Sequence, residues 1–168
     1  MMRRLRLWLL CLAWLSACAL PAGAATSLEA GGIGSLDRSD IGIGALIGLR
    51  FQKLQPGATG SDVGISVFAN PGGNHSAWAG LILDMGVAKG LPLDSGALFV
   101  PRVGFTALGG AGEGGGLAKA GLVAGAGLVS LPERGVGARA DATVRWVFSP
   151  SELWLAVTLG LVWPGKQP

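Results

Sequence analysis

Three stretches of the chain carry an apolar residue at every second position, with mostly small or polar residues between. In residues 41–51 the odd positions read Ile41, Ile43, Ala45, Ile47, Leu49 and Phe51, against Gly42, Gly44, Leu46, Gly48 and Arg50 on the even ones. In 136–148 the even positions are Val136, Ala138, Ala140, Ala142, Val144, Trp146 and Phe148, while the odd ones include Arg139, Asp141, Thr143 and Arg145. In 153–163 the odd positions run Leu153, Leu155, Val157, Leu159, Leu161 and Trp163. All 19 of those positions are apolar in a chain that is 50% hydrophobic. For a fixed register chance gives that roughly once in half a million. Successive side chains of a strand point to opposite faces, so period two predicts strands; a helix would smear the pattern around its circumference.

Five further segments carry the pattern less cleanly: 28–36, 62–70, 79–87, 97–107 and 118–128. The first of them shows the least contrast. The total is eight. Pro101 falls inside 97–107, the fifth of the eight in chain order, and a proline donates nothing to a ladder, so it must sit at a bulge or a free edge. Turn-forming residues separate the segments at 37–40, 55–57, 70–74, 90–92, 109–116, 132–135 and 149–151. Short turns between strands predict an up-and-down antiparallel sheet. The apolar run 117–131 holds three glycines and Lys119 and is too short for a membrane-crossing helix.

The start of the chain reads differently. Arg3, Arg4 and Arg6 precede an apolar core at 7–15, and Ala22-Gly23-Ala24 fits a small-x-small cleavage site. Residues 1–24 are therefore expected to be a signal peptide, leaving 25–168 as one exported domain. A second processing route stays open: Leu15-Ser16-Ala17-Cys18 resembles a lipobox, in which Cys18 would carry lipid and anchor a periplasmic β-protein. Cys11 and Cys18 are the only cysteines, so a chain cut after Ala24 has no thiol chemistry.

Without the leader, ten Lys and Arg balance ten Asp and Glu, and the basic footprint of a nucleic-acid partner is gone. Glycine, 30 of 168 residues, disfavours a helical bundle. The charges then choose between a soluble sandwich and a membrane barrel. Arg50, Asp84, Arg102, Lys119, Arg139, Asp141 and Arg145 all lie on the glycine-rich face. The opposite face is apolar for about 10 residues per strand, the length a tilted transmembrane strand needs. The expected fold is an all-β, antiparallel, up-and-down transmembrane barrel of about eight strands in a bacterial outer membrane. Its partners would be membrane lipid and, during biogenesis, the barrel-assembly machinery. Strand polarity places Phe51, Phe99 and Trp163 at one membrane interface and Phe105, Trp146 and Phe148 at the other, as aromatic girdles do. Trp163 ends the last apolar stripe much as an aromatic closes the C-terminal signal of outer-membrane proteins, although five residues follow it here.

The signal, the glycine-rich alternation and the run Arg145-Trp146-Val147-Phe148-Ser149-Pro150-Ser151-Glu152-Leu153 together resemble the YfaZ family of small outer-membrane barrels. That resemblance implies location and fold and carries over no catalytic residues.

Candidate chemistry is sparse. His75, the single histidine, adjoins Ser76. Small outer-membrane enzymes acting on lipid A use His and Ser, but adjacent residues of a strand face opposite ways. His75 therefore reads as a loop residue. One histidine and no mature cysteine do not make a zinc site, and a calcium site at Asp37 and Asp40 has no further support. The glycine run 109–116 lacks the Lys-Ser/Thr of a phosphate loop and reads as a hairpin loop. No catalytic residue, metal or cofactor is expected. The inward charges, five basic and two acidic, would either fill the barrel as a satisfied network or line a narrow, anion-leaning path. Eight strands leave room only for side chains, which favours the network.

Overall fold

The computed structural model describes residues 24–37, 40–70, 78–112, 115–131, 135–148 and 151–165. The leader with Cys11 and Cys18, and the His75 loop, lie outside the described residues. Among the described residues nine strands follow one another: β1 (Ala25–Asp37), β2 (Asp40–Gln52), β3 (Thr59–Asn70), β4 (Trp78–Lys89), β5 (Leu91–Pro92), β6 (Leu98–Gly112), β7 (Gly115–Val129), β8 (Gly137–Phe148) and β9 (Glu152–Trp163). Each long strand pairs antiparallel with its neighbours, and β1 pairs β9, so the sheet closes on itself. Eight long strands form the barrel. The two-residue β5 lies along the start of β6.

Every segment that alternates in the sequence is a strand, including the weakly patterned first one. Two expected turns move. Residues 109–116 read as a loop, yet Gly109 to Gly112 belong to β6 and Gly115 and Gly116 to β7, with Gly112 opposite Gly115. Ladder hydrogen bonds outweigh the poor strand propensity of glycine there. The turn expected at 90–92 instead follows β5. Leu93 donates to Ala97 O (2.9 Å) and Gly96, at φ +79°, donates to Leu93 O.

Pro101 sits at a gap in the ladder. β4–β6 pairing ends at Ala88 opposite Arg102, and β5–β6 pairing resumes at Leu91 opposite Phe99. Between them Gly90 turns away to the loop after β2, accepting from Gly57 N (2.6 Å) and donating to Ala58 O (3.2 Å). That loop is a Pro-Gly turn, with Gly57 at φ +77° and Ala58 N donating to Gln55 O.

The register fixes the barrel's shape. Stepping from partner to partner, Ala25 faces Gln52, then Asp62, Gly86, Gly104, Val123, Arg145 and Trp154, and Trp154 faces Ser35. One circuit thus returns to β1 ten residues further along. Ten residues of shear over eight strands give a tilt of about 41° at ordinary strand rise and spacing. Each residue then climbs about 2.5 Å along the barrel axis, and each step to the next strand about 3 Å.

A barrel this narrow curls its sheet hard. At the directly opposed pair Gly86 and Gly104, a Cβ on either would fall 2.6–2.7 Å from the other's Cα. The backbones of β4 and β6 lie this close on the inward face because neither residue has a side chain to obstruct them.

Candidate functional site

The inward positions form three tiers. Nearest the rim that holds Ala25 and Trp163, here the lower rim, lies an apolar layer of Ala25, Ala88, Leu98, Val100, Val129 and Val162, with Leu54 and Leu131 packed against it. Toward the opposite, upper rim lies a second layer of Ile33, Leu46, Phe68, Ile82, Leu108, Val147, Trp154 and Ala156. Phe68 meets Trp154 edge to face, with centroids 5.4 Å apart. Between the two layers runs a polar belt.

The belt contains four arginines, Arg50, Arg102, Arg139 and Arg145, and four carboxylates, Glu29, Asp62, Asp84 and Asp141, all buried. It is therefore formally neutral. Arg50 reaches three acids: Nε to Glu29 Oε1 (3.1 Å), Nη1 to both oxygens of Asp62 (2.9 and 3.0 Å), and Nη2 to Asp84 Oδ2 at 3.6 Å. Arg145 holds Asp84 in a two-pronged grip, Nε to Oδ1 (3.1 Å) and Nη2 to Oδ2 (2.7 Å). Asp141 is shared by Arg102 and Arg139, and Arg139 also approaches Glu29 (3.1 Å). Neutral donors complete the set. Gln52 donates to Asp62 (2.6 Å), Thr106 to Asp84 (2.7 Å), and Ser27 and Thr158 to Glu29 (3.0 and 3.4 Å); Arg102 also donates to Thr143. Each carboxylate thus accepts from more than one group, which a buried anion requires.

Six of the seven charges singled out in the sequence, Arg50, Asp84, Arg102, Arg139, Asp141 and Arg145, lie in this belt. Lys119 does not. It is half-buried nearer the upper rim and pairs with Glu152, whose other oxygen accepts from Trp154 Nε1 (3.0 Å). Sequence reasoning missed Glu29, Asp62 and Gln52. Asp62 was within reach, since it shares a face with Gly64 and Ser66 and opposes Val63, Ile65 and Val67. Glu29 had no such signal, because β1 mixes small and apolar residues on both faces. Counting five bases against two acids suggested a positive interior; the two missed acids and the removal of Lys119 cancel it.

Glycine makes the space for the belt. A Cβ on Gly64 would lie 3.1 Å from Arg50 Cζ, one on Gly125 3.1 Å from Arg102 Nε, and one on Gly127 2.5 Å from Asp141 Oδ1. Gly127→Ala is accordingly expected to lower unfolding stability by about 1–3 kcal/mol. Gly32→Ala, whose Cβ would meet nothing nearer than 4.0 Å, should change it by under about 0.5 kcal/mol. Urea unfolding in lipid vesicles measures both. Equal effects would mean that the glycines do not serve the ion pairs.

Outside, the polarity is reversed. Ile43, Phe105, Val157 and Leu159 are 64–72% exposed, and exposed apolar side chains occur on all eight long strands. The tilt sets the heights of the aromatics. Phe51, Phe99 and Trp163 fall within about 6 Å of one another near the lower rim. Trp146 and Phe148, edge to face at 5.7 Å, lie about 16–27 Å above them. Phe105 departs from the expected upper girdle. It stands seven residues from either end of β6, roughly midway between the two belts once tilt is included. Strand polarity alone gave its direction but not its height. The belt separation is close to the ~25 Å apolar band of transmembrane barrels.

Closure, antiparallel order, a shear of ten and an apolar exterior define the fold of small outer-membrane β-barrels. No family profile and no curated protein matches the chain. Among solved structures, Neisserial surface protein A superposes with a TM-score of 0.63 at 10% identity, covering 84% of this chain and 96% of that one. Ail, the attachment invasion locus protein of Yersinia pestis, gives a TM-score of 0.52 at 13% identity, covering 83% and 97%. At such identities the likeness is one of fold.

Proposed function

We propose that this chain is a small integral protein of a Gram-negative outer membrane, with a filled, non-conducting interior and a structural or surface role rather than a catalytic one. The observation that carries the reading is the reversal of polarity: oily side chains face out all round the barrel, while eight charges are buried inside between two apolar layers. In water that arrangement exposes apolar surface far beyond what a soluble monomer carries; in a bilayer it is what each side of the sheet requires. The two apolar layers also argue against a solute path, since an apolar constriction closes a narrow pore by dewetting it.

Residues 1–24 serve as the export signal in this reading, and Trp163 at the end of β9 offers the assembly machinery its aromatic terminus. Membership of the YfaZ family is the finer form of the proposal and rests on the run from Arg145 to Leu153. The lipid-anchored alternative would begin at Cys18.

Expression in a Gram-negative host tests the reading. The protein should fractionate with outer membranes, resist a urea wash and migrate differently on gels before and after boiling, and its mature mass should begin at Ala25. In planar bilayers it should give no stepwise conductance. A freely soluble product would overturn the membrane reading. A lipidated Cys18 would favour the anchor, and regular channel openings would overturn the filled interior.

A further inference from the structure

Among the described residues, the exposed charges of the lower rim are unevenly placed. Lys53 directly follows β2 and Lys89 ends β4; both are exposed. Between them, on β3, stand Thr59, opposite Lys89, and Ser61, whose carbonyl accepts from Lys53 N (3.1 Å). Elsewhere along this rim the described residues carry one exposed carboxylate, Asp94, five residues beyond Lys89. Strand rise and spacing put the Cα atoms of Lys53 and Lys89 about 12 Å apart and nearly level with Phe99 and Trp163. Each lysine side chain reaches about half that distance, so the two ammonium groups can approach one another along the rim.

We propose that Lys53 and Lys89, with Thr59 and Ser61, hold the phosphate of an anionic phospholipid in the leaflet at the lower rim. The inference rests on the membrane reading above, because it needs the aromatic belt to mark headgroup depth. Three features fit a lipid phosphate. The cations stand at the level where rings meet headgroups. Their long stems can lie along the apolar wall while the charge stays in the polar layer. The neutral hydroxyl donors suit phosphate oxygens and place no negative charge beside them. The belt acids Glu29 and Asp62 are buried in the barrel and engaged by Arg50, so they do not compete for the lysines.

The test uses delipidated protein in detergent, titrated with phosphatidylglycerol or with phosphatidylcholine of the same acyl chains, and read by native mass spectrometry. The wild type should retain phosphatidylglycerol preferentially. The K53Q/K89Q double variant should lose roughly 5- to 30-fold of that preference, the attraction of one to two lysines. Lys119→Gln, at the other rim, should leave it unchanged. No preference in the wild type, an undiminished preference in the double variant, or an equal loss in Lys119→Gln would each overturn the proposal. The heat-dependent gel shift separates this failure from failure of the membrane reading: a double variant that keeps the shift is still a folded barrel.

Discussion

Replacing Arg50 by Met is expected to cost about 3–5 kcal/mol of unfolding free energy, the usual penalty for stranding a buried charge. The size follows from its partners. Glu29, Asp62 and Asp84 all lie within reach of the one guanidinium. Without it, three acids face a barrel interior that is no longer neutral. Arg145→Met should be nearly as damaging, because it releases Asp84 from its two-pronged grip. The informative variant is the pair. Arg145→Met with Asp84→Leu removes both charges and should recover most of the loss, since a buried ion pair and an apolar pair of similar volume are often close in energy. Urea unfolding in vesicles of fixed composition reads these three and the single Asp84→Leu variant. If Arg50→Met unfolds within about 0.5 kcal/mol of wild type, the belt is not the buried network described. If the double variant is as unstable as the sum of the singles, the two charges do not act as a pair.

The second large effect concerns the outside. Phe105→Arg places a charge near mid-height on the outward apolar surface, which meets lipid in the proposed reading, and should destabilise the barrel by about 2–4 kcal/mol. Phe99→Arg places the same charge at the lower belt and should cost about 0–1 kcal/mol. The contrast tests the heights derived from the register, because both residues lie on β6 and face outward. Equal costs would refute the tilt or the membrane placement. A larger cost at Phe99 would put the bilayer centre at the wrong level.

How far the sequence reached can be judged on these same residues. Alternation revealed the strands because apolar and glycine-or-charge positions differ sharply in 41–51, 136–148 and 153–163. It also revealed which face turns inward, since Arg50, Arg139 and Arg145 share the face of glycine. It could not give the height of Phe105, because height depends on shear, and shear is a sum of registers that no single strand contains. Nor did it separate the two inner apolar layers from the belt. Leu46, Phe68, Val147 and Trp154 share a face with charged or small residues, so along the strand they read as interruptions of a polar face. Around the barrel they converge into a layer. Glu29 was hidden for a related reason. On β1 the outward residues include Gly32 and Gly34 and the inward ones include Ile33, so the contrast that marks a face elsewhere is absent. Residues 109–116 misled in the opposite direction. Glycine density signals a loop locally, and only pairing between β6 and β7 makes most of these residues strand ends.

The seam between β1 and β9 brings Thr26 beside Trp163. The first and last strands of the sheet therefore finish shoulder to shoulder at one mouth of the cylinder, and no strand is intrinsically first. A circular permutant that links those neighbouring ends and opens the chain at an upper hairpin would keep every cross-strand partner.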